Sequence, residues 1–145
     1  MPQRLNPHNI LLNWRKRGSD YLLGPHQLSD GSLRALALIA LFLQPAEDLP
    51  ALIVVDEPEL GLHPHAIEII AGLIRAASLR AQVILTTQST TFLEHFQPEE
   101  IIVVDDEQGG SVFRHLDEEK LRYWLEDYSV GQLWEKNVLG GGPLA

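Results

Sequence analysis

The chain has 145 residues, 45% hydrophobic and 21% charged, which is the balance of one ordinary globular domain and excludes a disordered chain. Its formal net charge is -9, and residues 1–34 carry five basic but only two acidic side chains, so the negative charge lies beyond them. Such an acidic surface argues against sequence-independent clamping of nucleic-acid backbones, and the lack of cysteine excludes disulfides, thiol catalysis and zinc ribbons.

The amino-terminal stretch has mixed polarity and is interrupted by proline and glycine. We predict a linker, or the remnant of a preceding segment, over residues 1–20 and a short strand at Tyr21–Leu23. No apolar run is long enough for a signal peptide or a membrane span. A cytoplasmic protein without a membrane partner is therefore expected.

The middle of the chain alternates between helix and strand patterns. Ser32–Leu43 predicts a helix that is apolar on nearly every face and is buried by neighbours on several sides. Ala51–Val55 predicts a strand buried on both faces, as in a parallel sheet. A helix beginning at Pro64 follows. Its apolar face is predicted at Ile67, Ile70, Ala71 and Ile74.

The remaining segments complete an α/β pattern. They predict a strand at Val83–Thr87, a short helix at Thr90–Phe96, a strand at Ile101–Val104, an acidic turn at 105–107, a hairpin partner at Val112–Leu116, a helical stretch from Asp117 to Trp134 broken near Tyr128–Gly131, and a flexible tail over 140–145. This order indicates an α/β domain with a largely parallel sheet.

The most informative pattern is the apolar run Leu52–Val55, which leads directly into Asp56 and Glu57. Ligands of open parallel sheets bind just beyond the carboxyl ends of strands. An aspartate there can hold a hydrated Mg²⁺ ion, and a glutamate can orient or deprotonate an attacking water. A solvated loop with a capping aspartate has the same sequence, so the acid pair alone leaves both interpretations open.

Two other segments carry polar groups that suit phosphate binding. Ser29 and Gly31 precede or open the first predicted helix, where a hydroxyl and an unhindered backbone N–H bind anions, although an ordinary helix cap also explains them. Gln88, in the run Thr87–Ser89, follows the strand after the acid pair and is expected at the same sheet edge as Asp56.

Four motifs in this order resemble the ATPase heads of the ABC class. LSDGS resembles their signature motif, LIVVDE their Walker B strand, PELGLHP their D-loop, and ILTTQS the strand of their switch histidine. The wording DEPELGLHP is more similar to RecF-like and OLD-like AAA-type ATPases than to membrane transporters. The closing YSVGQLWEKNVLGGGP is similar to the carboxyl end of small RecF-like ATPases. The resemblance spans roughly residues 21–143 and implies an incomplete three-layer P-loop NTPase fold.

Carried over position by position, the resemblance implies ATP and Mg²⁺ as cofactors. Asp56 would hold the magnesium ion through water, and Glu57 would activate the hydrolytic water. Ser29 and Gly31 would contact the γ-phosphate of a nucleotide held by a second subunit. Gln88 stands at the position of the switch histidine, where its amide can donate a hydrogen bond to phosphate but cannot become a cation.

One motif of that family is missing, because no G-x-x-x-x-G-K-[ST] phosphate loop, the Walker A motif, occurs in the sequence. We therefore expect residues 21–139 to be the carboxyl-terminal part of an ATPase domain that needs a Walker-A-containing half or a second ATPase subunit. The resemblance implies a homodimer in the intact protein and work in DNA repair or phage defence, with DNA contact by family analogy only. The isolated chain is expected to be inactive or nearly so.

Two functions of other classes stay open. The chain could be a non-catalytic dimerisation or regulatory module that docks on a full-length ATPase. It could also be a magnesium-dependent nuclease that uses Asp56, Glu57 and Glu59, although these acids lie close together on one loop with no second acidic cluster clearly facing them.

Overall fold

A computed structural model describes residues 2–6, 9–107 and 109–141. Its strands are β1 (Pro2–Asn6), β2 (Asn9–Leu12), β3 (Leu52–Asp56), β4 (Gln82–Thr86), β5 (Ile102–Glu107) and β6 (Gly110–His115). Its α-helices are α1 (Asp30–Phe42), α2 (Pro64–Ser78), α3 (Thr90–Leu93), α4 (Glu118–Leu125) and α5 (Val130–Glu135). No helix in the described ranges is long and apolar enough to cross a membrane.

The strands form three separate pairs. β3 pairs with β4 in parallel, with Asp56 opposite Thr86, whereas β1–β2 and β5–β6 are antiparallel hairpins. The α2 helix connects β3 to β4, which is the crossover that a parallel pair requires. The parallel arrangement brings the carboxyl ends of β3 and β4 to one edge of the sheet.

The main core lies between α2 and the β3–β4 pair. The predicted apolar face of α2 is confirmed, since its members are buried against Ile53 of β3 and Phe92 of α3. Those members are Ile67, Ile70, Ala71 and Ile74. A second cluster joins Val103 of β5 to Val130 and Leu133 of α5.

The expectation that α1 and β3 are buried on several faces is wrong. Of α1, Leu38 and Phe42 are buried, and Leu36 remains 44% exposed because α1 packs along one face against α2. Ile53 of β3 is buried, yet Val54 is 62% exposed on the opposite face. The described residues therefore leave one face of the parallel pair uncovered.

The β5–β6 hairpin extends further than predicted. The residues expected to form an acidic turn, Asp105–Glu107, belong to β5, and the turn lies at Gly109, whose φ is +82°. Asp105 pairs with Val112 of β6, and Arg114 of β6 and the Gly141 N–H both donate hydrogen bonds to its carboxylate. The predicted break between two carboxyl-terminal helices is confirmed by α4 and α5.

The two chain ends hold local structure. The stretch over 1–20, expected to be a linker or the remnant of a preceding segment, contains the β1–β2 hairpin, and the predicted strand Tyr21–Leu23 is reduced to one bridge between Leu23 and Trp14. In the predicted flexible tail, Gly141 is tied to Asp105 by its N–H, and residues 142–145 lie outside the described residues.

Candidate functional site

The backbone turns sharply between the two acids at the end of β3. Glu57 has a φ of +45°, which non-glycine residues rarely adopt and which is often found at functional sites. Its N–H donates to the Thr86 carbonyl at 3.0 Å, so it extends the parallel ladder by one bond. Its own carbonyl accepts from Arg34 Nη1 at 3.3 Å and from the Leu60 N–H at 3.2 Å. These bonds hold the unusual conformation.

Asp56 and Thr86 are joined at the carboxyl edge of the sheet. The Thr86 hydroxyl donates to Asp56 Oδ1, a contact that follows from their opposition in the parallel register. Both residues are exposed. An exposed carboxylate beside a hydroxyl is an oxygen-only donor set, which fits a magnesium ion that keeps several of its waters. Within the described ranges no three His, Asp or Glu side chains converge on a metal site, so Asp56 would be joined by water or phosphate oxygens.

Glu59 is the most buried acid of the loop that follows, with 6% of its surface exposed. The Thr87 hydroxyl donates to its Oε1, and Thr87 Oγ1 accepts from the Ser89 N–H at 2.9 Å. Glu59 Oε2 is buried without a hydrogen-bond partner. Burial of a carboxylate oxygen without a hydrogen-bond partner lowers the stability of the fold, so the position of Glu59 calls for an explanation.

Partial burial raises the pKa of the Glu57 carboxyl, and the neighbouring Glu59 carboxyl group raises it further. The charges of Glu59 and Asp56 act in the same direction, whereas the backbone N–H of Gln88 lowers this pKa. A glutamate whose pKa is raised is a stronger base when it is ionised. The surroundings of Glu57 therefore suit proton abstraction.

The structure brings Asp56, Glu57 and Gln88 together around one cleft of about 1020 Å³. Thr86 and Thr87 line it beside them, while β4, β5 and α3 form its apolar walls. Thr86 was not singled out from the sequence. Its contact with Asp56 depends on the parallel register that pairs Leu52 with Gln82, and no local sequence signal marks that register.

Ser29 and Gly31 lie in a different place, around a smaller cleft of about 220 Å³. Ser29 Oγ accepts a hydrogen bond from the Ser32 N–H at 3.2 Å, so Ser29 acts as an ordinary cap at the start of α1. The backbone of Gly31 packs tightly on the loop after β3, because a Cβ there would lie 2.1 Å from the Gly61 carbonyl oxygen. The five predicted site residues thus form two groups, connected by the segment from Glu57 to Gly61.

The loop–helix junction after Gly61 holds two histidines, His63 and His65. His63 Nδ1 accepts from the His65 N–H at 3.3 Å and caps α2. His65 lies 3.6 Å from a carboxylate oxygen of Glu68. These contacts account for both histidines as helix-terminal residues.

Comparisons with known proteins identify the kind of domain. Residues 3–94 match the family model described as "AAA domain, putative AbiEii toxin, Type IV TA system". Among solved structures, one described as "Structural biochemistry of ATP-driven dimerization and DNA stimulated activation of SMC ATPases" is similar in fold. The TM-score is 0.63 at 21% identity, and the match covers 83% of this chain and 73% of that one. No curated protein sequence matches the chain. The predicted α/β P-loop NTPase fold is thereby confirmed, with a small, partly parallel and incomplete sheet.

Proposed function

The chain belongs to this AAA-domain family, whose members are ATPases, and from that premise we propose that it is the carboxyl-terminal half of a RecF-like, ABC-class ATPase. The observation that carries the proposal is the carboxyl edge of the β3–β4 pair. There Asp56 is hydrogen-bonded to Thr86, and Glu57 has an unusual backbone conformation and lines a large cleft. ATP would bind at this edge, where ligands of parallel sheets are expected.

Each side chain has a role that its surroundings support. Asp56 would hold the magnesium ion of Mg-ATP through water, oriented by the Thr86 hydroxyl. Magnesium, when bound, neutralises charge on the phosphates. Glu57 would accept a proton from the water that attacks the γ-phosphate, and the Gln88 amide would donate a hydrogen bond to that phosphate. Catalysis of this kind depends on positioning, which the bonds that fix Glu57 supply.

Ser29 and Gly31 line a cleft separate from that of Asp56 and Glu57, which supports a role toward a second subunit. In the proposed homodimer, the capped amino-terminus of α1 would face the γ-phosphate bound by the partner. The similar solved structure concerns ATP-driven dimerisation and DNA-stimulated activation of SMC ATPases. By that likeness, and by the toxin–antitoxin wording of the family description, the intact enzyme would serve DNA repair or phage defence.

The missing phosphate loop determines the experiment. We define the phosphate-loop segment as a strand of about six residues, a G-x-x-x-x-G-K-[ST] loop and an amphipathic helix of about fourteen residues. It is fused to the amino-terminus of the chain through a Gly/Ser linker. The fusion is expected to hydrolyse ATP with Mg²⁺ at least about a hundredfold faster than the chain alone, and Glu57→Gln to abolish the gain.

Glu68→Gln is the matched control, because Glu68 is an exposed glutamate of α2 outside both clefts. It should hydrolyse ATP like the unsubstituted fusion. ATP hydrolysis insensitive to Glu57→Gln would contradict the proposal. Binding of a full-length ATPase without any gain in hydrolysis would favour the dimerisation module, and plasmid nicking without nucleotide would favour the nuclease.

A further inference from the structure

Glu59 is a buried acid that the proposed mechanism does not use. Glutamate is almost never buried to this degree unless it is paired with a charge, yet no cationic side chain among the described residues forms an ion pair with it. Its Oε1 accepts a hydrogen bond from the Thr87 hydroxyl, and its buried Oε2 has no hydrogen-bond partner. A methionine of similar length would fill the same space without burying a carboxylate. Packing alone therefore does not explain an acid at this position.

The hydrogen bond of Glu59 joins two loops that leave neighbouring strands. We call residues 57–62, which follow β3, the β3 loop, and residues 87–89, which follow β4, the β4 loop. Glu59 belongs to the β3 loop and Thr87 to the β4 loop, so their bond connects the two loops through side chains. Thr87 Oγ1 also accepts from the Ser89 N–H at 2.9 Å, which gives the β4 loop a defined shape. The buried acid is therefore fastened to an ordered loop.

Glu59 lies outside the large cleft, next to residues that line it. Glu57, Thr87 and Gln88 line that cleft. Glu59 is not among the described residues that line this cleft or the smaller one. A nucleotide in either cleft would not touch Glu59, so its effect on hydrolysis must pass through a neighbouring residue. Two such neighbours are present, because the Glu59 carboxyl raises the pKa of Glu57, and Thr87 directly precedes Gln88.

Burial makes this bond the better defined of two acid–threonine bonds at the carboxyl edge of the sheet. The bond between Asp56 and Thr86 is exposed, so water competes for both groups. The bond between Glu59 and Thr87 is partly buried, and a hydrogen bond is electrostatically stronger where water is excluded. Its loss would leave the buried carboxylate without a hydrogen-bond partner, which is more costly than the loss of an exposed contact.

We propose that Glu59 is a positioning residue, whose hydrogen bond with Thr87 fastens the β3 loop to the β4 loop and thereby holds Glu57 and Gln88 in a fixed arrangement. This rests on the proposed function, in which Glu57 accepts a proton from the attacking water and Gln88 contacts the γ-phosphate. A misplacement of about 1 Å in such a site can cost about a hundredfold in rate. A rigid link between the two loops would therefore increase the rate of hydrolysis without contacting the substrate.

Two substitutions of Glu59 separate the bond from the space that the side chain fills. Glu59→Gln keeps a carbonyl oxygen that can accept from the Thr87 hydroxyl, whereas Glu59→Met has a similar length and no such acceptor. In the full chain alone, Glu59→Met should speed hydrogen exchange at the amides of Glu57 and Ser89 by at least about fivefold, relative to the Ile70 amide in the core of α2, which reports global unfolding. Glu59→Gln should change both ratios by less than about twofold.

The same substitutions in the fusion with the phosphate-loop segment test the effect on hydrolysis. Glu59→Met should lower kcat by at least about tenfold and leave KM for ATP within about twofold, because the link acts on the reacting groups and not on binding. Glu59→Gln should retain kcat within about threefold. Ile70→Ala is the control for lost stability, since Ile70 is a buried core residue outside both clefts. It should retain kcat per folded molecule.

The outcomes separate this proposal from the proposed function. Faster loop exchange in Glu59→Met, with no hydrolysis by any fusion, would retain the link between the loops and contradict the ATPase role. Hydrolysis by the Glu59→Met fusion at the unsubstituted rate would overturn the positioning role and retain the ATPase role. Unchanged loop exchange in Glu59→Met would also overturn the proposal. So would a loss of kcat in Glu59→Gln as large as in Glu59→Met, because the effect would then belong to the charge and not to the bond with Thr87.

Discussion

The backbone of Gly31 packs tightly on the Gly61 carbonyl in the loop after β3, and Gly31→Ala tests that approach. A Cβ at position 31 would lie 2.1 Å from the Gly61 carbonyl oxygen and 3.1 Å from its carbon. Both atoms belong to the backbone, so relief requires α1 or the loop after β3 to move until the first distance reaches at least 3.0 Å. Overpacking of this kind costs about 1–3 kcal/mol.

The assay is reversible urea or thermal unfolding of the full chain. Gly31→Ala should lower the free energy of unfolding by about 1–3 kcal/mol, which corresponds to a decrease in Tm of roughly 3–9 °C for a chain of this size. Gly72→Ala is the control, because Gly72 is also helical and nothing lies within 4 Å of its added Cβ. There alanine should stabilise by about 0.5–1 kcal/mol.

A small effect at position 31 would refute this reasoning. If the free energy of unfolding of the Gly31→Ala variant lies within about 0.3 kcal/mol of that of the unsubstituted chain, the close approach of α1 to the loop is not a rigid feature. The contact would then not connect the Ser29–Gly31 cleft to the acid pair.

Three other substitutions test separate parts of the structure. Thr87→Val removes the hydroxyl that donates to buried Glu59 and should destabilise by about 1–3 kcal/mol in urea unfolding; an unchanged midpoint would show that Glu59 finds another partner. Arg114 holds the pKa of Asp105 below its ordinary value of 3.8, so this group contributes stability above that pH and loses it as the pH falls through the lowered pKa. Arg114→Gln should therefore reduce the loss of stability on acidification, and a loss as large as in the unsubstituted chain would contradict the ion pair's role. Phe92→Ala removes a fully buried ring and should cost about 3–5 kcal/mol by thermal unfolding, whereas a cost below about 1 kcal/mol would mean that the core collapses around the gap.

Local patterns predicted the elements whose stability comes from nearby residues. The spacing of Ile67, Ile70 and Ile74 predicted the buried face of α2, and the apolar run before Asp56 predicted β3. The acid pair could be located because it follows directly in sequence. The hydrogen bond between Thr86 and Asp56 could not be predicted, because it depends on the parallel register between two positions that are 30 residues apart.

The wrong expectations have a common physical cause. Val54 and Leu36 are apolar enough to be buried. Periodicity identifies the apolar face of an element, but it does not show whether another element packs against that face. Similarly, Asp105 was assigned to a turn because three acids in a row are typical of one. It lies in β5 because the backbone ladder with β6 continues through it, and Arg114, nine residues later, bonds to its carboxylate.

The central claim is that this chain supplies the hydrolytic acid and that a phosphate-loop segment completes the site. The most direct test measures phosphate release from Mg-ATP by the full chain alone, by the chain fused to the phosphate-loop segment, and by that fusion carrying Glu57→Gln. We predict negligible release from the chain alone, sustained release from the fusion, and a return to the level of the chain alone in the Glu57→Gln fusion. The claim would be contradicted if the chain alone released phosphate as fast as the fusion, or if release by the fusion persisted after Glu57→Gln.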